Sequence, residues 1–157
     1  MTKADVLAQV LDEFLAVSAD VEAAAVVSVD GLPMASALPP HVEEERLAAM
    51  SAALLTLGEK AASGLGKGGL AQVFVEGEFG YVVLMAAGNQ AVLVAVTNRD
   101  AKAGLIIFEM RKAARRIAEA MDATAEAEPR AHSNGTEQPS PPAPEAPKTH
   151  SVVSSWH

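Results

Sequence analysis

Apolar residues along the first 121 positions recur with two different periods, and these periods predict three helices and five strands. Spacings of three and four residues are typical of amphipathic helices, whereas short apolar runs between turn residues are typical of strands. The predicted elements, in chain order, are a helix over 2–18, strands over 22–29 and 32–38, a helix over 42–63, strands over 70–76, 79–86 and 91–97, and a helix over 101–121.

The last two predicted strands are nearly continuously apolar. A strand with one exposed face alternates between apolar and polar residues, so an uninterrupted apolar strand indicates burial on both faces. We therefore predict an α+β fold in which helices cover both sides of the sheet. Pro33 has no N–H to donate to a neighbouring strand, which places the second strand at an edge. In the last helix we expect the apolar residues to face inward: Leu105, Ile106, Phe108, Ile117 and Met121.

The stretch GLGKGG at 64–69 matches the glycine fingerprint G-x-G-x-x-G of dinucleotide-binding loops. In such loops a strand leads into the glycines and a helix follows, so that the first helix amides hold the pyrophosphate. Here the predicted helix precedes the glycines and a strand follows them. The Walker phosphate loop is excluded as well, because Gly68 rather than Ser or Thr follows Lys67. We interpret Gly64 or Gly66 as the end of the helix and expect no nucleotide site.

The composition changes at Asp122. Six of the nine prolines lie beyond this residue, mixed with Ser, Ala, Glu and Thr. Such a segment cannot bury enough apolar surface to offset the entropy lost on ordering. We predict one folded domain over 1–121 and a disordered Pro/Ser/Ala-rich tail over 122–157. The P-x-x-P spacings of the tail fit either a plain linker or a ligand for an aromatic groove. Trp156, the only Trp, lies among small and apolar residues in SVVSSWH, a pattern that resembles a short peptide anchor.

Charge and composition exclude several classes of function. A chain of 157 residues, 50% of them hydrophobic, can bury one core, and its formal net charge of -8 repels the phosphates of nucleic acids and of anionic lipids. We therefore expect neither nucleic acid as a partner nor insertion into a membrane. The absence of cysteine excludes disulfides, thiolate metal sites and cysteine nucleophiles. Because no long apolar run and no secretion signal occur, we expect a soluble, cytoplasmic protein.

No group of residues has the composition of an active site. Three of the four histidines lie in the predicted tail, which leaves His41 alone in the domain. The run Glu43–Glu45 lies in the first turn of a helix, where carboxylates oppose the helix dipole favourably. We predict no catalytic residue, no metal and no cofactor. The last helix carries a basic patch, which consists of Arg111, Lys112, Arg115 and Arg116. We interpret this patch either as an exposed helical face or as a contact for an acidic partner.

Three stretches together resemble bacterial members of the roadblock / dynein light chain family, which includes the MglB-like regulators of Ras-like GTPases. They are the hairpin AAVVSVDGLPMAS (24–36), the alanine-rich helix LAAMSAALLTLGEKAA (47–62) and the segment from QVFVEGEFGYVVLM to RKAARRI (72–117). The resemblance covers about residues 4–121. It implies a profilin-like layered fold with a five-stranded antiparallel sheet, in the order α-β-β-α-β-β-β-α, whose edge strands are 32–38 and 70–76.

The resemblance also implies a homodimer, in which the edge strand 70–76 pairs across a two-fold axis and the two long helices pack together. The implied function is non-enzymatic: the dimer binds a Ras-like small GTPase and modulates its nucleotide cycle. The alternative is a structural adaptor in a signalling or motility complex, without discrimination between nucleotide states. The implied interface residues are Leu47, Met50, Ala53, Leu54, Leu57 and Ala61 of the helix and Gln72, Val73, Phe74 and Val75 of the strand.

Overall fold

The computed structural model of the protein describes residues 1–127, which form three helices and five strands in the predicted order. In chain order the elements are α1 (Lys3–Val17), β1 (Val21–Ser28), β2 (Pro33–Ala37), α2 (Glu44–Gly64), β3 (Gln72–Gly77), β4 (Gly80–Ala87), β5 (Ala91–Thr97) and α3 (Ala103–Ala127). At the start of α1 the Thr2 hydroxyl accepts from the N–H of Asp5, and the Asp5 carboxylate accepts from the N–H of Thr2. None of these three helices is long and apolar enough to cross a membrane.

The five strands form one antiparallel sheet in the order β2-β1-β5-β4-β3. β5 is central and pairs along its length with β1 on one side and β4 on the other. β2 and β3 are the edge strands, which confirms both edges implied by the sequence. Pro33 is the first residue of β2, a position where the missing N–H costs no bond inside the sheet.

Helices cover both faces of this sheet, as the apolar pattern of β4 and β5 predicts. On the face covered by α1 and α3, the buried side chains include Leu7, Leu11, Phe14, Val26, Val83, Leu93, Met110 and Ile117. On the face covered by α2 alone, they are Ala25, Val27, Leu47, Ala48, Leu55, Leu84, Val92 and Val94. Neighbouring residues of one strand, such as Leu93 and Val94, therefore enter opposite halves of the core.

The glycine stretch 64–69 terminates α2. Gly66 has a φ of +71°, and the N–H groups of Gly66 and Lys67 donate to the carbonyls of Ser63 and Ala62 at 3.2 and 2.8 Å. These two bonds form the Schellman arrangement, which satisfies the last carbonyls of a helix. The helix thus presents its C-terminal end to the glycines, where the dipole disfavours phosphate. The prediction that Gly66 serves as a helix-ending residue is confirmed.

The prediction for the inward face of α3 is wrong at two positions. Leu105 and Phe108 are 55% and 56% exposed, whereas Ile106 between them is buried. Successive residues of a helix are rotated by about 100°, so the four apolar residues from 105 to 108 point in almost all directions around the axis. They cannot all face one sheet.

Helix α3 is also longer than predicted. It continues past residue 121 to Ala127, because the intervening alanine-rich sequence has no Gly or Pro and the first helix-breaking residue is Pro129. The boundary expected at 121 is therefore six residues too early for the helix. The remainder of the predicted tail, 128–157, lies outside the described residues.

Gly58 allows α2 to pack closely against β3. A Cβ atom at this position would lie 2.8 Å from Cγ2 of Val73 and 3.1 Å from Cδ2 of Leu70. Val73 is β-branched, so its side chain has little rotamer freedom with which to move away. The missing side chain at Gly58 therefore sets the distance between the helix and the edge strand.

We expect Gly58→Ala to lower the thermal midpoint of unfolding. Alanine in a helix interior is favoured over glycine by roughly 1 kcal/mol, but overpacking typically costs about 1–3 kcal/mol, so the clash with Val73 outweighs the gain. Gly64→Ala is the matched control, because it lies in the same helix and a Cβ there meets no atom within 4 Å. Circular dichroism melts of both variants check this; equal midpoints would contradict close packing at Gly58.

Candidate protein interaction surface

Helix α2 covers its face of the sheet with one side only. The buried residues of this side are Leu47, Ala48, Ser51 and Leu55. The hydroxyl of Ser51 donates to the carbonyl of Leu47 at 2.7 Å, so its burial leaves no polar group without a partner. Leu54 and Gly58 flank this side and also pack against the core or β3, whereas Met50, Ala53, Leu57 and Ala61 are exposed and available to another molecule.

An apolar row lies on this uncovered part of the helix. We call it the α2 stripe, and it consists of Met50, Ala53, Leu57 and Ala61. Met50 and Leu57 are 48% and 65% exposed. Spacings of three and four residues place all four side chains along one line of the helix surface. Two large apolar side chains exposed next to small alanines are typical of a surface that another helix can approach closely.

The α2 stripe lies on the flank of the helix that is turned toward β3. The opposite flank, at Ala52, packs toward the β1–β2 turn, where a Cβ at Gly31 would lie 3.4 Å from the Cβ of Ala52. Ala52 and Leu57 are separated by about 140° around the helix axis. Gly58, next to Leu57, is the residue that packs against Val73 of β3. The stripe therefore lies on the flank of α2 that is turned away from the β1–β2 turn.

Strand β3 pairs with β4 on one side only. Phe74 and Val75 of this strand are 38% and 39% exposed. In the register with β4, Val75 lies opposite Val82 on the α2 side of the sheet, and Phe74 lies opposite Val83 on the other side. The Phe74 ring is 4.9 Å from the ring of Tyr81. An exposed apolar edge strand is a template for pairing with another chain.

The structure brings most of the predicted interface residues to this one surface. Those that are exposed are Met50, Ala53, Leu57, Ala61, Phe74 and Val75. Those that are half-buried are Leu54, Gln72 and Val73. Leu47 belongs to the core instead, because it is 7% exposed and lies between α2 and the sheet. A surface built from the exposed members therefore extends from the α2 stripe across the edge of β3.

The predicted basic patch is on α3, on the opposite face of the sheet from α2. Its four side chains are not equivalent. Arg116 forms an ion pair with Glu13 of α1, and Lys112 pairs with Glu109 at 3.4 Å while its Nζ lies 5.5 Å from the centre of the Phe108 ring. Arg111 and Arg115 are exposed and take part in no ion pair within residues 1–127. The two groups of predicted contact residues thus form two separate surfaces.

In the described part of the chain, neither surface has the clustered carboxylates and imidazoles that a metal ion requires. In the part of the chain that the structure describes, no three His, Asp or Glu side chains are close enough together to hold a metal ion. Both surfaces combine exposed apolar side chains with solvated charges. Such an arrangement suits contact with another protein.

The Arg116–Glu13 pair is the polar link between α1 and α3. The hydrogen bond from Arg116, followed by one from Gln9, holds the pKa of Glu13 below its ordinary value. A carboxyl group whose pKa is lowered by folding stabilises the protein above its unfolded pKa, and this stabilisation is lost as the pH falls through the folded pKa. Both partners are about half exposed, so the contribution is small.

We expect Glu13→Gln to lower the thermal midpoint slightly at pH 7 and to have no effect at a pH below the folded pKa of Glu13, where the wild-type carboxyl is also neutral. Asp12→Asn is the matched control, because it removes the same charge from an exposed position of α1 that takes part in no ion pair of residues 1–127. Melts recorded at several pH values test this. A difference between Glu13→Gln and wild type that stays constant down to low pH would contradict the role of the ion pair.

Comparison with known proteins gives one family. The model of the Roadblock/LC7 domain matches residues 7–97, from α1 to the end of β5. Uncharacterized proteins of Methanocaldococcus jannaschii are similar in sequence. One is 38% identical over 97 residues, which cover 62% of this chain and 81% of that protein. A second is 39% identical over 92 residues, which cover 59% of this chain and 80% of that protein.

Solved structures have the same fold at lower sequence identity. A structure of MglB with a tetrameric arrangement has a TM-score of 0.72 and 21% identity, covering 78% of this chain and 93% of that chain. Myxococcus xanthus MglB has a TM-score of 0.72 and 18% identity, with coverages of 78% and 92%. A Roadblock/LC7 domain from Streptomyces avermitilis has a TM-score of 0.69 and 22% identity, with coverages of 73% and 97%. At these identities the likeness concerns the fold alone.

Proposed function

This chain belongs to the Roadblock/LC7 domain family, and from that premise we propose that it is a non-enzymatic homodimeric module that binds a Ras-like small GTPase and modulates its nucleotide cycle. The single observation that carries the proposal is the exposed apolar surface formed by the α2 stripe and the edge of β3. Among the structures that share its fold, MglB is found in a tetrameric arrangement, which supports self-association by proteins of this shape.

The first step of the proposal is the homodimer. Antiparallel pairing of β3 with β3 of a second copy would give the outer backbone groups of the edge strand their hydrogen bonds and continue the sheet across a two-fold axis. The same pairing would bring the two α2 helices side by side, because the α2 stripe lies on the flank nearest β3. Met50 and Leu57 would then be buried against the partner helix, and Ala53 and Ala61 would allow the helices to approach closely. Both exposed features are covered by one contact.

The second step is the GTPase. The resemblance to MglB-like regulators supports a Ras-like small GTPase as the partner. A module with no nucleotide site of its own can act on a GTPase by binding one arrangement of its switch loops more tightly than the other. The glycine stretch 64–69 is the end of a helix and not a phosphate loop, so the proposal places the nucleotide on the partner. An adaptor, the alternative, would bind the same partner without distinguishing its nucleotide states.

We expect Ala53→Glu to weaken the homodimer by at least roughly tenfold in dissociation constant, about 1.4 kcal/mol, because it places an unpaired charge in a helix-helix contact. Ala8→Glu is the matched control: it makes the same substitution at an exposed alanine of α1, on the opposite face of the sheet. Sedimentation equilibrium of wild type and both variants measures the constant. A wild type that stays monomeric, or an equal effect of both substitutions, would contradict the proposed interface.

We expect the dimer to bind a Ras-like GTPase from the same genome at least roughly tenfold more tightly in one nucleotide state, which corresponds to about 1.4 kcal/mol. The measurement is a titration with the GTPase loaded in turn with a non-hydrolysable GTP analogue and with GDP. Equal affinity for both states would favour the adaptor. The absence of binding in either state would remove the GTPase from the proposal and leave the dimer unaffected.

A further inference from the structure

Three exposed apolar side chains lie together on the face of the molecule opposite α2. We call them the α3 patch: Val17 at the end of α1, and Leu105 and Phe108 of α3. They are 62%, 55% and 56% exposed. Leu105 and Phe108 are three positions apart and therefore adjacent on the helix surface. Val17 and Leu105 line the same shallow depression between α1 and α3. The α2 stripe and β3 do not contribute to this patch.

Basic side chains border the α3 patch on one side. The Nζ of Lys112 lies 5.5 Å from the centre of the Phe108 ring. Arg115, one helical turn further along, is exposed and in no ion pair of the described residues. Cations next to an apolar surface favour an aromatic ligand, because the face of an aromatic ring attracts a cation while its body is apolar. Trp does this best among the side chains.

The α3 patch is too small to hold a second protein firmly by itself. Stable protein interfaces bury about 800 Å² on each partner, far more than three side chains can supply. A ligand that is covalently attached to the same chain needs much less affinity, since a flexible tether provides an effective concentration in the millimolar range. The size of the patch therefore favours a segment of this chain as its occupant.

The sequence beyond the described residues contains one apolar cluster. In 128–157 the only large apolar residues are Val152, Val153 and Trp156, within five consecutive positions. The rest of this stretch is Pro, Ala, Ser, Glu and other small or polar residues. We propose that the segment 152–156 docks on the α3 patch of the same chain, with the Trp156 ring against Leu105 and Phe108 and beside Lys112.

The tether has a suitable length for this contact. Phe108 and Ala127 are separated by 19 helical positions, or about 29 Å at 1.5 Å per residue. About 25 positions lead from Ala127 to Val152, and a stretch of that length spans roughly 25–30 Å as a random coil and more where prolines extend it, so that Val152 can reach Phe108. The effective concentration of a tethered ligand is highest when these two lengths match. The docked segment would cover the α3 patch, so a partner that binds there has to displace it.

The test uses the full-length chain and its single Trp as the probe. Excitation at the red edge of the absorption band reports Trp156 alone, and its emission and acrylamide quenching are compared with those of a synthetic peptide of residues 151–157. We expect emission at shorter wavelength and weaker quenching in the protein than in the peptide. Phe108→Ala and, separately, Leu105→Ala should shift the emission wavelength and the quenching toward the values of the peptide. We expect the ratio of docked to free segment to fall roughly tenfold, which corresponds to about 1.4 kcal/mol.

Phe79→Ala is the matched control, because Phe79 is a 72% exposed Phe in the β3–β4 turn and not part of the α3 patch. Circular dichroism checks that each variant is folded. In addition, Trp156→Ala in isotope-labelled full-length protein should shift the amide resonances of Val17, Leu105 and Phe108 and leave those of the α2 stripe unchanged.

Three results would overturn the proposal. The first is that the emission and quenching of Trp156 are the same in the protein as in the peptide. The second is an equal response to Phe79→Ala, or resonance shifts at the α2 stripe in place of the α3 patch, since the segment would then bind elsewhere. The third is quenching that depends on protein concentration, which would mean docking on a second copy. The oligomeric state of Trp156→Ala, measured by sedimentation, keeps this outcome separate from that of the proposed homodimer, because loss of docking on the α3 patch leaves the dimer constant unchanged.

Discussion

The width of the sheet relative to the helices that cover it is the constraint on which the surfaces of this molecule depend. Five strands at about 4.8 Å spacing present a face roughly 24 Å across, whereas one helix with its side chains is about 10 Å wide. On one face α1 and α3 lie side by side, and most of the strands beneath them are buried. On the other face α2 lies alone. One helix cannot cover five strands: Val73 of β3 packs against Gly58, but Val75 of the same strand and face is 39% exposed. The need for a further covering surface follows from this asymmetry.

The architecture was predictable from the sequence because the strongest local signals agree with the fold. β4 and β5 are apolar along their length, and such strands require cover on both faces. Pro33 assigned one edge of the sheet, and the order of helix, glycines and strand excluded a phosphate loop. The Schellman bonds at Gly66 show the physical basis of that exclusion, since the helix ends where a nucleotide loop would need one to begin.

The prediction failed where one pattern had more than one physical solution. The four apolar residues from 105 to 108 surround the helix, so periodicity alone could not tell which of them face outward. The angles at which these four side chains leave the helix axis span almost the full circle, so at least one large side chain must be exposed. The same limit applies to α2, whose abundant alanines fit the core and a close helix contact equally well. Leu47 and Leu57 have the same side chain and differ only in the packing around them, which depends on the long-range position of β1 and β3.

The two surfaces differ in a way that matches two kinds of ligand. The surface of the α2 stripe and β3 combines a row of helical side chains with the free backbone of an edge strand, so a second folded chain can satisfy both at once. The α3 patch offers three side chains and neighbouring cations and no backbone groups, which limits it to a short aromatic or aliphatic segment. Because the sheet separates them, occupation of one surface does not block the other. With both proposed contacts made, a module of this shape would associate through one face while a weak, tethered contact would control access to the opposite face. Leu105 and Phe108 of the α3 patch and the proposed docking segment lie after residues 7–97, the part of the chain that the family model matches, whereas Val17 lies within it.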